Sequence, residues 1–394
     1  MEQPQGFVQD SSLVCRLQKS LYGLKQAPRA WYAKMDTFLL SVGFTRCHSD
    51  PNVYVVQQDD SLLFLVLYVD DLLITGSSSS TIRAVKTALH DRFLMTDLGL
   101  LHYFLGIEIY KSTSGITITQ SKYALDLLSR FHMAKCKPAP TPFLSGVKLE
   151  AQCSSPLVDG TLYRQLVGSL IYLTHTRPDI SYALGMVSRF MQEPHELHWK
   201  AAKWILHYIQ GTHSFGIHYA AGIDLDLVGY TDSDWAGDSQ DRKSTSGYSF
   251  SLGSGPICWS SKKQSAIALS STEAEYRGAV NAATEAIWLQ NLLTEFGIQI
   301  RRPSIIFCDN QSAIQISRNP VHHQRTKHIE VHMHYIRELI HGHVIDLQYC
   351  PTSEQVADIF TKPFTESKFL HLRALLGVRD ASSIGGASSS HSES

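Results

Sequence analysis

Leu225-Asp226-Leu227-Val228-Gly229-Tyr230-Thr231-Asp232-Ser233-Asp234-Trp235-Ala236-Gly237-Asp238 is an apolar, strand-like run that ends in a cluster of carboxylates. A strand that carries carboxylates to its tip carries them toward positive charge. Three more acids lie downstream in similar settings. Glu275 stands in Ser270-Ser271-Thr272-Glu273-Ala274-Glu275-Tyr276, Asp309 follows Ser304-Ile305-Ile306-Phe307-Cys308, and Asp358 ends Glu354-Gln355-Val356-Ala357-Asp358. Taken singly, each reads as a solvated strand end or a helix cap. Converging on one edge, the four would bind divalent metal. Hard cations such as Mg²⁺ take oxygen ligands, and two of them about 4 Å apart activate a water and stabilise the leaving oxygen of a phosphodiester.

The order of elements favours convergence. Asp232 closes a first strand, and strands are expected at 245–252 and 256–260. A long helix over about 272–296 carries Glu275 in its first turn. A strand at 304–308 then delivers Asp309, and a helix from about residue 353 carries Asp358. This order resembles the ribonuclease H fold. The wording of Gly229-Tyr230-Thr231-Asp232, Ser270 to Tyr276, Cys308-Asp309-Asn310 and Val356-Ala357-Asp358-Ile359-Phe360-Thr361-Lys362-Pro363 resembles the ribonuclease H module of copia-type LTR retrotransposon Pol polyproteins. The resemblance implies that Asp232, Glu275, Asp309 and Asp358 are the catalytic metal ligands, holding two Mg²⁺ ions, with Mn²⁺ as the alternative. Glu273 is the rival for the second place. An Ala-Glu-aromatic triplet at the helix start favours Glu275 and leaves Glu273 as an acid favoured by the helix dipole.

The 394 residues predict two or three domains, and 43% hydrophobic with 18% charged residues is the composition of an ordinary globular chain. A net charge of -1 gives no basic signature, so nucleic-acid affinity must come from local patches. Seven cysteines without paired C-x-x-C spacing argue for reduced thiols and against a disulfide or zinc framework. The sequence holds no membrane-length apolar run, and no leader is expected. The expected setting is intracellular, cytoplasmic or nuclear, without a membrane partner; by resemblance it is ancestrally a virus-like particle.

In the N-terminal third, Leu62-Leu63-Phe64-Leu65-Val66-Leu67-Tyr68-Val69-Asp70-Asp71-Leu72-Leu73-Ile74-Thr75-Gly76 reads as two apolar strands joined by a turn with adjacent carboxylates. Such a pair raises its own pKa or recruits a cation. Tyr68-Val69-Asp70-Asp71 resembles the palm motif of reverse transcriptases. With Ser20-Leu21-Tyr22-Gly23-Leu24-Lys25-Gln26-Ala27-Pro28-Arg29-Ala30-Trp31 before it, the resemblance is to the copia-type polymerase. It implies that Asp70 and Asp71 are metal ligands and that Gln26 and Arg29 lie near nucleotide and template. Thr96-Asp97-Leu98-Gly99 and Tyr103 to Ile109 resemble later palm motifs. The family's further palm Asp and its fingers have no counterpart before this stretch, so the expectation is a truncated palm without polymerase activity.

From residue 121 the sequence reads as helices, at 121–132, 162–174, 178–192 and 195–210, interrupted by the Pro-rich Lys137-Pro138-Ala139-Pro140-Thr141-Pro142. Tyr163-Arg164-Gln165-Leu166 and Thr176-Arg177-Pro178-Asp179 resemble the family's thumb and connection. Lys200 and Lys203 could follow a phosphate backbone, as could Arg325 and Lys327 in the His-rich run 321–334. His328 and His332 have helical spacing, but without paired cysteines or the metalloprotease Glu the run is read as a basic helix, not a zinc site. Between a strand at 343–350 and Asp358, Pro351-Thr352-Ser353-Glu354 leaves no room for the mobile His loop of many ribonucleases H, which implies slow turnover. Residues 380–394 are Ser-rich without an apolar period.

The expected architecture is an α+β, α/β multidomain chain. It comprises a partial reverse-transcriptase palm (1–135), a helical thumb and connection (136–220), a ribonuclease H-like mixed sheet with flanking helices (221–372) and a disordered tail (373–394). The expected activity is Mg²⁺-dependent hydrolysis of RNA in RNA·DNA hybrids, with single-stranded RNA template and primer as ancestral partners. The alternative is an inactive retroelement remnant that only binds nucleic acid or a protein.

Overall fold

The computed structural model describes the chain except Met1, Gln9, Ser11, Tyr22, Asp59, Asp60, Gln152, Cys153 and residues 319–329 and 385–394. It divides into two compact units, Met1–Leu98 with Trp288–Gln299, and Gly99–Ile287 with Ile300–Ser394.

The first unit is a four-stranded antiparallel sheet in sequence order, β1 (Thr45–Arg46), β2 (Val53–Gln58), β3 (Ser61–Tyr68) and β4 (Asp71–Gly76), with helices α1 (Ala27–Ser41) and α2 (Ser79–Arg92). Pro28 in the first turn of α1 suits a position whose amide has no helical acceptor. The Ser78 hydroxyl caps α2 by accepting from the Thr81 amide. Alternation in β3 sends Leu63, Leu65 and Leu67 into a core with Met35, Leu39, Tyr54 and Leu89. The turn from β3 to β4 is closed by the pair Tyr68 and Asp71. Val69 in that turn has φ 53°, a left-handed conformation that strains a β-branched residue, and the Trp31 indole donates to its carbonyl at 2.6 Å.

In the second unit, β5 (Tyr103–Phe104), β6 (Ile107–Ser112) and β7 (Gly115–Thr119) lead into helices α3 (Ser121–Arg130), α4 (Gly160–Leu173), α5 (Ser181–Ser188) and α6 (Glu196–Gln210). After β8 (Phe215–Ala220) come β9 (Leu227–Ser233), β10 (Thr245–Leu252), β11 (Gly255–Lys263) and the long helix α7 (Ser271–Glu295), whose residues from Trp288 on belong to the first unit. The chain continues through β12 (Ser304–Cys308), α8 (Gln311–Arg318), α9 (Glu330–His341), β13 (Ile345–Tyr349), α10 (Glu366–Leu375), β14 (Val378–Asp380) and α11 (Ala381–Ile384).

One sheet has the order β11-β10-β9-β12-β13, an antiparallel meander continued by two parallel strands. The long crossover through α7 is what a parallel β12 needs. Because Phe307 is paired with Tyr230, Asp309 and Asp232 both lie two residues beyond the same rung of neighbouring parallel strands. Ser270 starts α7 by accepting from the Glu273 amide. Gly278 lets the helix come close to β9, since a Cβ there would stand 2.4 Å from Ser233 Oγ.

The other sheet of this unit, β14-β8-β7-β6-β5, joins the chain around residue 217 to its C-terminal stretch, with Val378 opposite Ile217. Helices α3 to α6, α10 and a 3-10 turn at Val356–Phe360 share one core, including Leu127, Tyr163, Leu170, Ile205, Phe360 and Leu372.

Several expected elements differ. Asp358 lies not in a helix from 353 but in that 3-10 turn, because Pro363 bars a longer helix and the Gln355 side chain caps Ala357. Gln355 also donates to the Thr231 carbonyl at 3.0 Å, tying the turn to β9. The helix expected at 178–192 is a 3-10 turn Pro178–Ile180 followed by α5. The tail expected to be disordered from 373 instead completes α10 and pairs as β14, since Phe369, Leu372, Leu376 and Val378 are buried apolar side chains. Residues 103–119, read as palm, share a sheet with β8 and β14. Arg325, Lys327 and His328 lie outside the described residues, as does the side chain of His332.

Candidate metal centre

The edge of the mixed sheet brings four acids together. One carboxylate oxygen each from Asp232, Asp309 and Asp358 lies within 4.8 Å of the others, and Glu275, Cys308 Sγ and Asp309 form a second group at the same spacing. Asp309 belongs to both groups. Asp232 and Asp358 are buried almost completely, at 1% and 0% exposure, Glu275 at 6%, and Asp309 is half-buried.

Each acid is placed by its element. Asp232 leaves β9 and accepts from the Thr361 hydroxyl. Asp309 leaves β12 and accepts from Thr352 Oγ1 at 2.8 Å. Glu275 comes from α7, one turn in from Ser271; the acid in the first turn itself is Glu273. Asp358 sits on the 3-10 turn, which reaches β10 because position 247 is Gly: a Cβ there would meet Phe360 Cβ at 2.5 Å. Lys362 adds a cation, its Nζ 2.7 Å from Asp358 Oδ1 and 3.7 Å from Asp232 Oδ2.

Burial, followed by the charges of Asp232 and Asp309, pushes the Glu275 carboxyl up to about 10. Burial and Asp232 push Asp358 up to about 7. Burial also raises Asp234 to about 6, against the pull of the Thr245 amide. For Lys362 burial opposes the charge, but Asp232 and Asp358 outweigh it and hold the ammonium above its usual range. These shifts describe acids crowded together with too little positive charge.

The set fits a hard divalent ion. Its carboxylate donors are all oxygens, and Glu275 Oε2 and Asp358 Oδ2 are buried without a hydrogen-bond partner. An unsatisfied buried acceptor costs about 1–3 kcal/mol, a cost that a coordinated cation removes.

Glu273, the rival, is engaged elsewhere. It accepts from the Leu269 amide at 2.9 Å and from Arg277 Nε and Nη2 at 3.2 and 2.9 Å. Asp70 and Asp71 stand exposed on the strained β3–β4 turn, and among the described residues no third ligand-type side chain groups with them. Gln26 and Arg29 are exposed at the start of α1. Lys203 is half-buried on α6, and Lys200 is paired with Glu196 at 2.8 Å. Sequence reasoning gave no role to Lys362, Thr361 or Thr352. For Lys362 a signal was available in its spacing of four from Asp358.

The strand order and the acids at its edge define a ribonuclease H-like domain in a mixed α/β, multidomain chain. The reverse transcriptase family, "Reverse transcriptase (RNA-dependent DNA polymerase)", matches residues 1–145. A retrovirus-related Pol polyprotein from transposon RE2 of Arabidopsis thaliana is 44% identical over 96% of this chain and 26% of its own length. A putative transposon Ty5-1 protein of Saccharomyces cerevisiae is 35% identical over 72% of this chain and 94% of its own. The chain belongs to the copia/Ty1-type retrotransposon Pol polyproteins, and spans about a quarter of the length of the Arabidopsis relative. Among solved structures, LC11-RNase H1 in complex with RNA/DNA hybrid aligns at 12% identity with a TM-score of 0.27, over 34% of this chain and 94% of that one. Among the described residues no helix is long and apolar enough to cross a membrane.

Proposed function

We propose that residues 221–372 hydrolyse the RNA strand of RNA·DNA hybrids with Mg²⁺, or Mn²⁺ in its place, held by Asp232, Glu275, Asp309 and Asp358. The observation that carries this reading is the convergence of four acids, with two buried oxygens left unpartnered, at one sheet edge. Bound there, two ions would supply an activated water and charge stabilisation for the leaving oxygen. The chain's own residues orient the ligands. Thr361 fixes the Asp232 carboxylate, Thr352 holds one oxygen of Asp309, and Gln355 anchors the turn that carries Asp358. Hybrid shape and 2′-hydroxyl contacts would select the substrate. Asp70 and Asp71, with Gln26 and Arg29, are assigned to the metal and nucleic acid of the reverse transcriptase region, and Lys200, Lys203, Arg325 and Lys327 to phosphate contacts.

The test is a hybrid with a labelled RNA strand incubated in Mg²⁺ or Mn²⁺. The parent cleaves it, and Asp309→Asn, which removes the one carboxylate common to both ligand groups, lowers cleavage by at least about 10²-fold, the usual cost of deleting an electrostatic stabiliser. A parent that leaves the RNA intact in both ions sinks the reading.

A further inference from the structure

Lys362 lies one helical turn beyond Asp358, between Thr361, whose hydroxyl binds Asp232, and Pro363, which ends the segment. Its amide donates to the Asp358 carbonyl at 3.3 Å, so its backbone is fixed to the residue it neutralises. The side chain is 35% exposed, whereas those of Asp358 and Asp232 are 1% and 2% exposed. Two almost fully buried carboxylates are thus reached by an ammonium whose own side chain is only partly buried. Those two acids, with Asp309, are the oxygens that stand within 4.8 Å of one another. A divalent ion arriving there meets a positive charge already in contact with two of its three ligands. Like charges at such distances repel strongly where water is scarce.

We propose that Lys362 is a tethered counter-cation. It holds Asp232 and Asp358 together in the metal-free protein, yields when an ion enters the Asp232–Asp309–Asp358 group, and so sets how tightly that ion binds. The inference rests on the metal-dependent reading above but concerns ion affinity, which is measured without substrate.

Calorimetric Mg²⁺ titrations and melting in EDTA compare the parent, Lys362→Met and Lys362→Arg. Lys362→Met, close in shape and uncharged, should melt several degrees lower in EDTA, recover in Mg²⁺, and bind Mg²⁺ about tenfold more tightly. Lys362→Arg, which keeps the charge, should stay near the parent in both. Unchanged or weakened Mg²⁺ binding in Lys362→Met overturns the proposal, as does a parent that binds no Mg²⁺. Should Lys362→Met fold only with metal, protein purified in Mg²⁺ is stripped with graded EDTA. It must then release its ion at higher chelator concentration than the parent, and earlier release overturns the proposal. Hybrid cleavage by the parent is scored separately. A parent that binds Mg²⁺ but does not cleave removes the proposed activity and leaves the Lys362 comparison intact.

Discussion

Glu273 and Glu275 show how two residues of one type, two positions apart, come to do different work. On a helix they point about 200° apart, so only one can face the sheet edge. Glu273 faces back to the Leu269 amide and across to Arg277, and acts as a cap and ion-pair partner. Glu275 faces Asp309 and Cys308 with an unpartnered oxygen. Glu275→Gln should therefore lower hybrid cleavage by about 10²-fold or more, with folding intact, because the neutral amide is a poor ligand for a hard cation. Glu273→Gln should lower stability by roughly 1 kcal/mol, from a weakened cap and a lost ion pair, and leave cleavage near the parent's. Cleavage assays and denaturant unfolding on both variants decide it, and the reverse pattern would exchange the two roles.

At the scale of elements, the sequence is most informative where a strand ends in an acid. Asp232 and Asp309 each follow an apolar run, and β9, β10, β12 and α7 lie within a few residues of the expected bounds. Asp358 was legible as a residue but not as geometry. Its placement depends on a short 3-10 turn seated on Gly247, a contact between positions far apart in sequence that no local pattern encodes. Lys362 had only an ambiguous signal for a related reason: its spacing of four from Asp358 marks a pair, but such a pair reads as a surface one until the burial of the acids is known. The strand β14 escaped because three residues carry no periodicity of their own and are strand only through β8. The seating of the turn is testable. Gly247→Ala puts a methyl against Phe360 Cβ and near Thr361 and the Ala357 carbonyl. Overpacking of this kind costs about 1–3 kcal/mol. The same variant should bind Mg²⁺ more weakly, since the turn that moves also carries Asp358. An unchanged Mg²⁺ affinity in Gly247→Ala would show that the turn tolerates displacement without disturbing the ligand.

At the largest scale the second unit is unified by charge as well as by its core. Arg177, completely buried, donates from Nε and Nη2 to Asp179 at 2.9 and 2.8 Å and from Nη1 to the Thr212 carbonyl at 2.6 Å. Tyr208 donates to the same Asp179 at 2.6 Å and accepts from Arg373 at 2.9 Å. One network thus joins the turn before α5, the helix α6, the approach to β8, and α10 near the C-terminus. Arg177→Met should cost about 3–5 kcal/mol, because it leaves Asp179 buried without its cation. The pH dependence separates this cause from simple loss of packing. Burial alone would raise the Asp179 carboxyl, but Arg177 and the hydrogen bonds to it outweigh burial and hold it below its usual range. A depressed folded-state pKa stabilises the parent above the unfolded value of about 4, and that contribution is lost as pH falls through the folded one. In Arg177→Met burial prevails, Asp179 takes up a proton more readily in the folded state than in the unfolded one, and acidification relieves the variant. The difference in Tm between the two proteins should therefore be widest near neutrality and narrow below about pH 4. Thermal unfolding across that range checks it, and a gap that stays constant or widens in acid would assign the loss to packing instead of to an abandoned charge.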